Sequence, residues 1–108
     1  MTPMPIAAVQ SVQALQDVLA SEESFGFRTV ALWTSGRPNT PNFAAFRLAE
    51  EGGDPSQDSI ALERVAEPGK LGSLVAARAA AGWVLSLYAT VEIAGAPTAV
   101  AVFHRRPS

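Results

Sequence analysis

The feature that most constrains this chain is its C-terminal unit: a helix, Gly82-Trp83, then two strands joined by a tight turn. Pro68 suits the first turn of a helix, where its missing N–H has no partner to lose. Leu71, Leu74, Val75 and Arg78 then follow at i, i+3, i+4 and i+7, one stripe of a helix filled out by alanines 76, 77, 79, 80 and 81. Gly82 falls just past the helix, where a left-handed backbone favours a residue without Cβ. Trp83 to Ile93 reads as the strongest strand, residues 94–97 as a turn, and Thr98 to Arg105 as the returning strand.

Upstream, Pro3 and Pro5 and the lack of period over residues 1–8 suggest a loose arm, leaving 9–108 as a single domain. Val9, Val12, Leu15, Val18 and Leu19 make a helical stripe that Phe25-Gly26 ends. Residues 27–35 alternate as a strand, with Phe27, Thr29, Ala31 and Trp33 opposite Arg28, Val30, Leu32 and Thr34. Residues 43–49 and 60–66 are further strands. Glycine and two prolines mark 36–42 as a loop, and the acidic stretch 50–59, with Gly52, Gly53 and Pro55, as a longer one.

Both faces of the last two strands are apolar. In the first, Trp83, Leu85, Leu87, Ala89, Val91 and Ile93 share a period; in the second, Ala99, Ala101 and Phe103 oppose Val100 and Val102. An antiparallel sheet with one wet face alternates more cleanly. The expected fold is therefore α+β, about five largely antiparallel strands with two helices packed on one face, ferredoxin-like or close to it. A second copy would cover the other face in a two-fold homodimer, unless the sheet curls into a partial barrel and covers itself.

Composition narrows the function classes. At 108 residues, 48% of them hydrophobic, the chain can build one core. With no cysteine, disulfides, thiolate metal sites and a cysteine nucleophile are excluded. Met1 to Ala8 carry neither positive charge nor a long apolar run, and no stretch reaches the length of a membrane span, so a cytoplasmic protein is expected. A net charge of −2 lacks the basic surplus of a dedicated nucleic-acid binder.

Candidate ligand-binding residues are Trp33, Arg37, Arg47, Tyr88, His104 and Arg105. Trp33, Tyr88 and Arg47 would line a pocket between sheet and helices. Arg37 sits on the proline-flanked loop, and His104, Arg105 and Arg106 make a basic end that could meet an anion or, with Arg78 and Lys70, nucleic acid. His104, the one histidine, reads as a solvated strand-end residue, and no Ser-His-Asp set assembles from the sequence. The acidic residues of 50–59 do not follow a calcium-loop spacing, and Gly69-Lys70-Leu71-Gly72-Ser73 departs from the order of a phosphate loop. No catalytic residue, metal or cofactor is expected.

The run Leu74 to Leu85 resembles the end of a short bacterial domain family of unknown function, whose members show a helix, Gly-Trp-Glu-Leu-Val, a hairpin and a final Phe-Lys-Arg-Pro. Phe103-His104-Arg105-Arg106-Pro107 matches that ending over residues 71–107, with Val84 for the family's Glu and His104 for its Lys. The resemblance implies no activity. The leading expectation is a non-enzymatic binding or assembly module that self-associates through its sheet. A small-molecule enzyme or binding protein is the first alternative, and a nucleic-acid binder the second.

Overall fold

The computed structural model describes residues 3–37, 40–48 and 59–106. The chain runs β1 (Met4–Ile6), α1 (Val12–Glu23), β2 (Phe27–Thr34), β3 (Asn42–Leu48), β4 (Ser59–Arg64), a short 3-10 turn (Pro68–Lys70), α2 (Leu71–Ala79), β5 (Val84–Ile93) and β6 (Ala96–Arg105). The class is α+β, as expected. The six strands, however, form two antiparallel three-stranded sheets, ordered β1-β3-β2 and β4-β6-β5. Five strands in one sheet was an undercount, and a ferredoxin-like arrangement is not confirmed by this topology.

The missing strand is β1. Residues 4–6, expected within a loose arm, pair with Asn42–Ala44 of β3 and bury Ile6. Three residues are too few to show a period, and Pro5 argues against a central strand; at a sheet edge proline is tolerated.

The helices do not share one face. α1 packs against β4 and β2 and places Leu15 and Leu19 in a core with Leu32 and Ala44 of the first sheet and Leu62, Val100 and Val102 of the second. α2 lies across the other side of the second sheet, where Leu71, Leu74 and Val75 meet Ala101, Phe103, Trp83 and Leu85. Strand β6 is therefore sealed on both faces within one chain, and Val100 to Phe103 have no exposed surface. The cover that the sequence assigned to a second copy is supplied here by α1 and the first sheet.

The helix ends follow local chemistry. The Ser11 hydroxyl accepts from the Ala14 N–H and caps α1. Past α2, the Trp83 N–H reaches the Arg78 carbonyl and the Gly82 N–H that of Ala79, with Gly82 at φ +87°. This is the paired bonding of a glycine-terminated helix, as the sequence indicates. The hairpin turn puts Ala94 and Gly95 at φ +52° and +80°, the left-handed pair that suits the twist of its strands.

Two bulges break the alternation the sequence suggests. One lies between Thr29 and Ala31 in β2, the other between Leu85 and Leu87 in β5. Each extra residue switches the inward parity. Leu85 joins the α2 side while Leu87 and Ala89 join the α1 side, although they lie on one straight period. Likewise Thr29 and Leu32, three apart, are both buried.

Side-chain amides join the layers. Asn42 of β3 is buried and grips the backbone of Glu92 in β5, donating to its carbonyl at 2.9 Å and accepting from its N–H at 2.8 Å. Gln16 of α1 accepts from the Leu62 N–H on the edge strand β4 at 2.9 Å. All three bonds occupy backbone groups on the edge strands β4 and β5.

Candidate functional site

At the opposite end of β5 from Asn42, the end of α1, both bulged strands and the end of β6 converge on a buried polar cluster. Its centre is His104, which is 5% exposed. Position 104 continues the inward set Val100 and Val102 on the central strand, so backbone alternation carries the imidazole into the interior. The expectation of a solvated histidine is corrected: the adjacent arginines mark the strand end, and they do not set the direction of position 104.

The Nε2 of His104 lies 2.8 Å from Glu23 Oε1 and 3.0 Å from Oε2. Glu23, the last residue of α1, is itself buried. Its Oε2 also accepts from the Thr29 N–H at 3.0 Å and the Thr29 hydroxyl at 2.7 Å. On the other side of the ring, Nδ1 is hydrogen-bonded to the Ser86 hydroxyl, on the bulge of β5. Ser86 is exposed, so the chain of bonds runs from surface to core. No buried side-chain polar atom lacks a partner among the described residues.

Burial pushes the Glu23 carboxyl up, but the hydrogen bonds from His104 and Thr29 and the attraction of the imidazole outweigh it and hold the pKa below the ordinary value. An ionised carboxylate only accepts, so Nε2 must carry a proton. In the neutral imidazole, Nδ1 is then the acceptor and the Ser86 O–H the donor. A hydroxyl, an imidazole and a carboxylate thus stand in series, the set the sequence did not assemble. The components lie 63 and 18 residues apart along the chain, taking 86 minus 23 and 104 minus 86. No local motif links them, and the bulge that brings the Ser86 hydroxyl to the imidazole leaves no clear pattern in the sequence.

The six expected ligand-binding residues do not gather around one pocket. Arg105 follows His104 but lies on the α2 side, its guanidinium 4.8 Å from the Trp83 ring centre. Arg78 sits over the same ring at 5.1 Å and over Phe103 at 5.6 Å, and its Nε donates to Glu63 at 2.9 Å. Lys70 is 3.7 Å from Glu67. His104 therefore points away from Arg78 and Arg105. Tyr88, 42% exposed, pairs with Ala101 on the α2 side of the second sheet.

Trp33 and Arg47 belong to the outer face of the first sheet. Trp33 is 37% exposed and stacks on Phe43, with ring centres 5.8 Å apart and planes 18° apart. Register places Pro5, Phe43 and Trp33 in one row across β1, β3 and β2. Arg47 is exposed and pairs in register with Arg28 two rows along. Among the described residues no helix packs on this face, since α1 lies on the inner side. Arg37 is exposed on the loop after β2, and its carbonyl accepts from the Thr40 hydroxyl at 2.6 Å. The acidic stretch 50–58 and Asn39 lie outside the described residues.

Among the described residues no three His, Asp or Glu side chains are grouped to hold a metal, and no helix is long and apolar enough to cross a membrane. Comparison with family models, curated proteins and solved structures gives no match.

Proposed function

We propose that the chain is a small binding module that self-associates through the outer face of its first sheet. The observation that carries this reading is the row Pro5, Phe43 and Trp33, which no helix covers among the described residues and which spans all three strands with Phe43 and Trp33 stacked. Large aromatics dominate the energetics of interfaces, and a rigid sheet presents them without a further ordering penalty. A second copy of the same sheet is the simplest partner for such a face, because a two-fold axis lets one patch meet itself. Arg47 would border the contact and limit how the two sheets align.

Sedimentation equilibrium over a concentration series tests the reading. A dimer mass at high micromolar concentration that falls to the monomer in Trp33→Glu is expected. A wild-type monomer throughout the series would reject self-association.

A further inference from the structure

Beyond that surface, we infer that Ser86 is an activated nucleophile that takes up a small acyl group from an activated ester or thioester, with His104 as its general base and Glu23 as the group that orients the base. Three independent features converge on it. The hydroxyl, imidazole and carboxylate are linked by hydrogen bonds in the order that acyl transfer requires. The nucleophile end is exposed while the base and its orienting carboxylate are sealed from water, so an electrophile can reach the oxygen but not the charge behind it. Both strands that bring side chains from the sheets beside His104 carry a bulge there, next to Thr29 in β2 and at Ser86 in β5. Bulges concentrate where a side chain must be re-aimed.

The ring is used in the reverse sense to a serine-protease triad, with Nδ1 on the serine and Nε2 on the carboxylate. Proton transfer needs only an acceptor lone pair aimed at the O–H, and the Glu23 carboxylate fixes that lone pair on Nδ1. Thr29 holds the carboxylate through two bonds and so keeps the ring from rotating. Val84 pairs in register with His104 and is 68% exposed, so it presents an apolar side chain at the surface two residues before Ser86. That favours a short uncharged acyl group over a charged one.

In the transfer, Ser86 Oγ bonds to the carbonyl carbon as its proton passes to His104 Nδ1, and Glu23 balances the imidazolium. Collapse of the tetrahedral adduct breaks the bond to the leaving oxygen or sulfur. Nδ1 returns the proton to the departing alkoxide or thiolate, leaving acyl-Ser86 and a free alcohol or thiol.

The test uses 4-nitrophenyl acetate on the intact chain, with acetylated residues located by peptide mass spectrometry. Ser73, exposed on α2 without such a base, serves as the internal reference. Ser86 should be acetylated about 100-fold faster than Ser73. Glu23→Gln should bring Ser86 down to the Ser73 rate, and Ser86→Ala should abolish the fast adduct with the circular dichroism spectrum unchanged. Acetylation of Ser86 no faster than of Ser73 in the folded wild-type chain would overturn the assignment, and that comparison needs no variant to fold.

Discussion

The two sheets have the same number of strands and differ in what covers them. The second has α2 on one side and α1 with the first sheet on the other, and its middle strand has lost all contact with water from Val100 to Phe103. The first is covered only on its inner side among the described residues and presents Trp33, Phe43 and Arg47 outward. Residue type alone does not produce this difference: both sheets carry apolar side chains on both faces. What separates them is where the helix after each sheet's first strand goes. α1 returns into the space between the sheets, whereas α2 closes the back of the second.

The largest effect should come from a charge on the sealed strand. Val102→Glu buries a carboxylate among the apolar side chains of the core, a burden of several kcal/mol. Loss of the native circular dichroism spectrum is expected; a folded chain with altered mass would mean that β6 faces a partner. Phe103→Ala should lower unfolding free energy by about 3–5 kcal/mol in urea titration.

Glu23→Ala removes the buried carboxylate that accepts from His104 and Thr29 and should cost about 1–3 kcal/mol. Its pH dependence has a definite sign. The carboxyl is held below its unfolded value of 4.5, so its stabilisation is complete above that value and is lost as pH falls through the folded one. The stability gap between wild type and Glu23→Ala should therefore narrow on acidification below 4.5. A gap independent of pH would show that the pair contributes by packing alone.

Asn42→Ala leaves the Glu92 N–H and carbonyl without their partner, a loss of about 1–3 kcal/mol. The smallest change in stability belongs to the open sheet. Trp33→Glu removes a stack worth about 1 kcal/mol, yet it should have the largest effect on association. Opposite rankings for stability and association would sharpen the contrast between the two sheets; parallel rankings would break it.

Much of the local structure was legible because it rests on local chemistry. Gly82, the Phe25-Gly26 stop and the 94–97 turn follow from backbone conformations that few residues adopt, and Pro68 marks the start of α2. The longer-range features were not legible, for identifiable reasons. A bulge inserts one residue without a fixed residue signature, so straight alternation misassigned Leu85 and Leu87 to one face. β1 is too short for any period. The division into two sheets depends on which strand neighbours which, and alternation does not encode that. The polar cluster depends on both bulges and on Glu23 turning inward in the last turn of α1, past the last member of the hydrophobic stripe, Leu19. The expected pocket between sheet and helices relied on Trp33, Arg47 and Tyr88 facing inward, and all three are partly or largely exposed.

The central claim is that the first sheet's outer face is where this chain meets a second copy. A dilution series followed by 1H–15N NMR tests it residue by residue. The account predicts concentration-dependent shifts in the Trp33 indole and in the amides of Ala31, Phe43 and Ala45, with those of Val100 to Phe103 unchanged. Shifts confined to the second sheet, or none at any concentration, would contradict it.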